Sequence, residues 1–325
     1  MTGIFTISLD FELHWGAFDK RDRELHKERY INTLKVVPQL LELFSRNEVN
    51  VTWATVGSLF ANDKDEWTSY LPEQKPAYKQ TRFSAYQWVE KNDLSIAHSW
   101  AHFAPEEVRL ITQYEGQELG THTFAHYYCL EPGQTVQQFE NDLCAAQRIS
   151  HDKVGQTLTS LVFPRNQFNS EYLKACYRQG IKVVRSNPDK WFWTGVTEDK
   201  TTLARKLFRT GDTYIPLGGI TSYPVSAITR NDDEPMLLPA SRLLRPYDRK
   251  YPALNKMRLK RILNEMKYAA KHGHCYHLWW HPENFGDNPD ESIKDLTTII
   301  QYYSNLKNSH GMQSWNMAEY LERTV

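Results

Sequence analysis

Gln117-Glu-Leu-Gly-Thr-His122, then Thr135-Val-Gln-Gln-Phe-Glu-Asn-Asp-Leu-Cys-Ala-Ala-Gln-Arg-Ile-Ser150, then Thr159-Ser-Leu-Val-Phe-Pro164: these three runs decide the fold. The first and last are short and extended in character. The middle run repeats Val136, Phe139, Leu143, Ala146 and Ile149 at helical spacing, and Thr135 with Gln138 forms a capping box at its start. Strand, helix and strand in that order predict two parallel strands joined by a helical crossover.

The same rhythm continues outward. Upstream, Gly3–Asp10 and Asn50–Val56 read as strands. Tyr30–Phe44 reads as a helix that Pro38 should kink, and Pro105–Tyr114 as another helix. Downstream, Asn169–Gln179 reads as a helix with an Asn cap and Gly180 past its end. Ile181–Arg185 and His274–Trp280 read as strands, and Lys256–His272 and Ser292–Leu306 as helices. Six or seven such units predict an α/β protein, a distorted barrel rather than an open sheet. Two stretches break the rhythm, at about 61–100 and 195–251. Both are expected to be insertions over the C-terminal rim of a single domain spanning 1–325.

The 325 residues balance 39 Lys plus Arg against 39 Asp plus Glu. No global field attracts polyanions, so nucleic acid is not expected as a partner. The N-terminal MTGIFTISLDFELHW has no basic leader region and meets acids early, which argues against a signal peptide. No run of about 18 apolar residues is present, so no membrane span is expected. Cys129, Cys144, Cys176 and Cys275 are widely spaced and read as reduced thiols, which fits a cytoplasmic protein. Nothing in the chain bears on oligomeric state.

Chemistry-bearing residues gather where the strands end. The first strand ends in Asp10, with Glu12 beyond it. The third ends in His122, with His126 four residues on, about one helical turn, so that two imidazoles can face one point. Two nitrogens and a carboxylate would hold a divalent metal and leave positions open for water. Arg165 follows the fourth strand, Asn187 and Asp189 the fifth, and His281 the last. The C-terminal rim of a parallel barrel is where active sites are built. Each residue taken singly has a plainer reading: a capping acid, a solvated arginine, an Asn-Pro-Asp turn or a core histidine.

Ser-Leu-Asp10-Phe-Glu12, His122-Thr-Phe-Ala-His126, Phe163-Pro-Arg165 and Leu278-Trp-Trp-His281 resemble, in order and placement, the successive motifs of the polysaccharide deacetylase family (NodB homology, carbohydrate esterase family 4). The resemblance implies a distorted (β/α)7 barrel. It also implies a divalent metal held by two histidines and an acid, a catalytic base in the first motif and a histidine acid in the last. The usual first motif has adjacent aspartates, whereas here Phe11 intervenes. The acid–x–acid form implies Asp10 as base and Glu12 as metal ligand beside His122 and His126, with the reverse assignment open. The third motif lacks the usual tyrosine, which leaves the Asn166 region as the candidate oxyanion donor.

The activity so implied is hydrolysis of a non-peptide C–N bond, the N-acetyl group of a sugar. Zn2+ is the expected metal, with Co2+, Ni2+ or Mn2+ also compatible with the donor set. Arg165 would orient Asp10, Asp189 would orient His281, and Trp191 and Trp280 would wall the sugar site. The expected substrate is a cytoplasmic precursor of a surface polysaccharide, nucleotide-linked or lipid-linked. The alternatives are an allantoinase-like hydrolase of another C–N bond and a non-catalytic carbohydrate-binding relative.

Overall fold

The computed structural model describes residues 2–92, 94–188 and 190–323. Seven strands form its curled parallel sheet: β1 (Ile4–Phe11), β2 (Val51–Thr55), β3 (Gln117–Thr121), β4 (Ser160–Val162), β5 (Val183–Ser186), β6 (Glu234–Pro239) and β7 (His274–Trp280). Their order is β7–β1–β2–β3–β4–β5–β6, and every neighbouring pair is parallel. This is the distorted (β/α)7 architecture expected from the alternation of extended and helical runs.

The sheet's two ends are joined by one stretch of chain. β6 runs beside β5, and Ala240 N–H still donates to the Ser186 carbonyl at 2.9 Å. One residue later the chain has changed neighbours: Ser241 N–H donates to His277 O at 2.8 Å, and Arg242–Leu243 pairs with Leu278–Trp279 of β7. Residues 234–244 are thus part of the barrel, although they lie within the 195–251 stretch expected as an insertion. Pro235 and Pro239 bracket the strand, and proline, lacking a ladder N–H, masks a strand in sequence.

The main helices are α1 (Lys27–Arg46), α2 (Pro105–Ile111), α3 (Val136–Val154), α4 (Ser170–Arg178), α5 (Leu203–Gly211), α6 (Pro252–His272) and α7 (Pro289–His310), and all but α5, which has no buried residue, cover the outside of the sheet. α1 contains Pro38 without being divided by it. α3 starts with the expected capping box, in which Thr135 and Gln138 satisfy each other's backbone N–H.

Period two then sorts the side chains. Phe5, Ile7, Leu9 and Phe11 of β1 and Tyr276, Leu278 and Trp280 of β7 join the outer core with Leu41, Phe44, Ile262 and Ile299. The opposite parity of the same strands points inside the barrel. It supplies Ile4 and Cys275 to an apolar floor, with Val183 and Met236, and above that floor come Thr6, Ser8, Asp10 and His277. The polar layer grades upward into the C-terminal rim.

Candidate active site

Asp10 is buried at the end of β1 and meets a guanidinium, but that of Arg185 rather than Arg165. Arg185 Nη1 donates to Asp10 Oδ1 at 2.6 Å and Nη2 to Oδ2 at 2.8 Å. Nη1 also reaches Ser8 Oγ at 3.0 Å, and Ser8 Oγ lies 2.8 Å from His277 Nε2. Burial alone would raise the Asp10 pKa. The charge and bidentate bonds of Arg185, with His122 contributing, overcome this and leave it below the usual aspartate value. His277 is held neutral, its pKa pushed down to about 3 chiefly by burial and then by Arg185.

Arg165 sits elsewhere. Its guanidinium pairs with Asp19 and with Glu198, the latter at 2.9 Å, and stacks over Tyr128 at 3.9 Å. The expected Arg165–Asp10 pairing is therefore corrected. Arg165 follows its strand in a tight turn, and a left-handed φ of 54° carries it toward the His126 side of the site.

His122 and His126 do converge, though not on a helix. A bent loop links them, with Thr123 at φ 65° and His126 at φ 56°. Such values are costly for a β-branched residue and persist only where the surroundings impose them. Here the buried Asp142 carboxylate of α3 accepts from Phe124 N–H at 2.7 Å and from the Tyr86 hydroxyl at 2.7 Å. Thr123 Oγ1 accepts from Tyr127 N–H at 2.8 Å, and Gly57 N–H donates to Thr123 O at 2.8 Å.

The two Nε2 atoms face Glu12. His122 Nε2 lies 3.3 Å and His126 Nε2 3.1 Å from Glu12 Oε2, and one donor atom from each residue can be chosen so that all three lie within 4.8 Å of one another. Ligands about 2.0–2.1 Å from a tetrahedral ion stand about 3.3 Å apart, so this set fits a divalent metal. The outer contacts agree. His122 Nδ1–H donates to Val162 O at 2.8 Å and Tyr128 Oη lies 3.2 Å from His126 Nδ1, which leaves both Nε2 lone pairs for an ion. Burial lowers the His126 pKa, with Glu12 opposing, and so favours the neutral ligand form. Burial raises the Glu12 pKa, but His281 and His126 overcome it and keep the group a carboxylate.

Glu12 is itself clamped. Glu283 Oε1 accepts from Glu12 N–H at 3.1 Å and from Leu13 N–H. Burial, and then the Glu12 charge, raises the Glu283 pKa and favours its uncharged form, against the two backbone N–H bonds, which favour the carboxylate. A Cβ on Gly16 would overlap the Glu12 carboxyl carbon and lie 2.6 Å from Oε2, so only glycine leaves room for the ligand.

His281 reaches the same centre, with Nε2 3.8 Å from Asp10 Oδ2 and 3.6 Å from Glu12 Oε1, and it is partly exposed. A cleft of about 220 Å³ opens beside it, lined by Glu12, His281, Tyr30, Lys20, Arg21 and Arg29 among others. Asn166 borders the site through its side chain, whose Oδ1 lies 3.4 Å from Arg185 Nη2. Its backbone N–H is already donated to Phe163 O at 2.8 Å, so the amide side chain, not the backbone, is the donor it can offer. Asp189 lies outside the described residues.

The aromatic assignments change. Trp280 points to the outer core, stacked on Phe285 at 5.8 Å, and cannot touch a substrate. Trp279, one residue earlier and on the inner face, is the site ring. Arg185 lies over it at 4.2 Å, and His281 and Trp193 stand edge-on at 5.8 and 6.3 Å. Trp191 packs on Phe208 at 5.1 Å on the exposed segment, away from this group. Trp279, Arg185, Glu283 and Gly16 went unassigned in sequence. The parity of β7 would have found the first. An arginine ending the apolar Val183-Val184 run, which demands a buried partner, would have found the second.

Residues 28–184 match the family model for polysaccharide deacetylase. That segment contains His122, His126 and Arg165. Asp10, Glu12, Arg185 and His281 lie outside it and stand on the geometry. No curated protein matches the chain. Among solved structures, a provisionally named polysaccharide deacetylase from Mycobacterium smegmatis superposes with a TM-score of 0.62 at 13% identity, covering 99% of this chain and 89% of that one. A second provisionally named polysaccharide deacetylase, from Pseudomonas aeruginosa, gives 0.55 at 14% identity with 98% and 89% coverage. The PuuE allantoinase gives 0.56 at 9% identity with 98% and 89% coverage. At these identities the likeness is one of fold.

Proposed function

We propose that the chain is a divergent member of the polysaccharide deacetylase family and a metal-dependent deacetylase of an N-acetylated sugar. We read it as one domain throughout. The observation that carries the reading is the meeting of Glu12 with His122 and His126 beside an Asp10 locked by Arg185.

Glu12, His122 and His126 would hold the ion, with Zn2+ best suited to a mixed nitrogen and carboxylate set. When bound, it would supply Lewis-acid polarisation of the acyl oxygen and a lowered pKa for attacking water. Asp10 takes the proton from that water as the amide carbon is attacked. Arg185 keeps Asp10 charged and fixes the plane of its carboxylate. His281 delivers a proton from Nε2 to the departing amine. Asn166 Nδ2 would donate to the oxyanion. Trp279, buried under Arg185 and beside His281, would back the site from the barrel interior and hold both side chains in place. The products are acetate and a free amino sugar.

A cytoplasmic precursor remains the favoured substrate. Lys20, Arg21 and Arg29 on the cleft beside Glu12 and His281 support a sugar that carries a phosphate. Four free thiols suit a reducing compartment.

The test is acetate release from nucleotide-linked and lipid-linked N-acetylhexosamines by metal-stripped and Zn2+-loaded protein. The loaded protein should turn over, the stripped protein should not, and Asp10→Asn should keep the metal yet lose roughly 100-fold or more in rate. Full turnover by Asp10→Asn would remove the base assignment. Ring opening of allantoin without acetate release from any sugar would replace the substrate class.

A further inference from the structure

α5 is mounted inside out. At about 100° per residue its apolar side chains, Leu203, Leu207 and Phe208, fall with Ala204 and Gly211 in an arc of roughly 140°, and Arg205, Lys206 and Arg209 fall opposite. A surface helix ordinarily buries the apolar arc. Here two of the cations face the protein. Arg205 Nη1 donates to Thr194 O at 3.1 Å, Arg209 Nε donates to Phe192 O, and Arg209 stacks over Trp193 at 5.3 Å. No residue of α5 is buried, and Leu203 and Leu207 are 72% and 62% exposed.

The apolar surface continues beyond the helix. Trp191, 52% exposed, touches Phe208, and Ile215, Leu217 and Ile220 are also exposed on the following turns. Tyr214 and Ile220 then line a cavity of about 550 Å³ with Met257 and Lys260 of α6. A water-facing patch of this extent marks an interaction surface.

We propose that residues 191–220, with the adjoining edge of α6, form a docking face for an anionic phospholipid surface. Charge selects that occupant. Across residues 191–220 the charged side chains are Glu198, Asp199, Lys200, Arg205, Lys206, Arg209 and Asp212. Glu198 is paired with Lys20, Arg82 and Arg165, and Asp212 is buried against Arg242 and Arg261, which leaves Asp199, next to Lys200, as the exposed acid without an ion pair among the described residues. Lys256 and Lys260 of α6 add exposed cations at the rim. A second copy of the chain would set these positive rims against each other. A bilayer with anionic headgroups accepts the Leu, Phe and Trp side chains and the lysines together, as amphipathic interfacial helices do. The face is continuous with the site, because Trp191 serves the patch while Trp193 meets Trp279 beside His281. Docking would therefore hold the site mouth close to lipid headgroups, and the proposal does not depend on which bond is cleaved.

The test is co-sedimentation of the full chain with vesicles of phosphatidylglycerol and phosphatidylcholine in equal parts, and with phosphatidylcholine alone. The wild type should pellet with the anionic vesicles and much less with the neutral ones. The pair Leu203→Glu with Leu207→Glu should lower the apparent affinity by roughly tenfold or more. Lys206→Glu with Lys260→Glu should weaken binding and flatten its salt dependence. Circular dichroism and metal content of both double variants should match the wild type. Wild-type protein left in the supernatant with both vesicle types would overturn the proposal, as would undiminished pelleting of the Leu203, Leu207 variant. So would a concentration-dependent dimer, dispersed by that variant, with no vesicle binding; the face would then be a contact between copies.

Discussion

Arg185 grips Asp10 through both terminal guanidinium nitrogens, at 2.6 and 2.8 Å, inside the barrel, where both side chains are buried. A fork of that kind fixes both the charge and the plane of a carboxylate, and lysine cannot reproduce it. Arg185→Lys is expected to keep the fold and the metal while kcat falls by about 100-fold, the share of a misdirected general base. Arg165→Ala acts elsewhere, because Arg165 stacks on Tyr128, which meets His126 Nδ1. It should weaken metal affinity by about 10–100-fold and spare kcat at saturating metal. Steady-state kinetics over a metal titration separate the two. Equal kcat losses for both variants at saturating metal would refute the division of roles.

The missing side chain of Gly16 is part of the metal site. The Glu12 carboxylate occupies the space that a Cβ would need. Gly16→Ala should swing Glu12 away from His122 and His126 and lower metal affinity by about 10–100-fold, as when a ligand's support is lost. Gly155→Ala serves as comparison, since a Cβ there meets nothing within 4 Å, although its φ of 69° makes any side chain mildly unfavourable. Its metal affinity should equal that of the wild type. Competitive chelator titration reads both variants, and tight binding by Gly16→Ala would show that Glu12 is dispensable as a ligand.

The barrel and most of its site were legible because both rest on local pattern. Alternating extended and helical runs gave the parallel sheet, and strand ends gave Asp10, Glu12, His122, His126 and His281. What escaped depends on tertiary partners. β6 is bracketed by prolines within a charged stretch and becomes a strand only because β5 and β7 flank its path. Two arginines follow or end apolar strands, and only the turn at Arg165, with its left-handed backbone, decides that Arg185 meets Asp10. The His122–His126 spacing suggested a helical turn, but Asp142, distant in sequence, imposes a loop. Trp279 and Trp280 differ by one residue, and on a strand one residue exchanges barrel interior for outer core.

That parity makes the two tryptophans separable by experiment. Trp280 is fully buried among Phe44 and Phe285, so Trp280→Ala should cost about 3–5 kcal/mol of stability while the folded fraction keeps its kcat/KM. Trp279 lies under Arg185 and beside His281, so Trp279→Leu should lower kcat/KM at least about tenfold with a smaller loss of stability. Urea unfolding and kinetics on the same preparations give both quantities. A catalytic loss confined to Trp280→Ala would reverse the assignment of faces.

Asp142 gives the protein a measurable pH signature. Its buried carboxyl accepts from Phe124 N–H and Tyr86, and burial, the largest influence, pushes its pKa from 3.8 up to about 6 despite those bonds. The sign follows from proton linkage. Between about pH 4 and pH 6 the unfolded chain has released this proton and the folded chain retains it, so stability falls as pH rises and levels off above about 6. A shift of this size corresponds to roughly 3 kcal/mol in all. Asp142→Asn keeps an acceptor oxygen for the Phe124 N–H and has no proton to lose. The stability of Asp142→Asn relative to wild type should therefore rise by roughly 3 kcal/mol from pH 4 to pH 7, with half of the rise near pH 5. Urea unfolding of metal-stripped protein at several pH values isolates the effect, because ion binding would add its own pH dependence. Parallel stability curves for the two proteins would mean that Asp142 is not protonated in the fold, and that the loop carrying His122 and His126 is braced by a charged group throughout.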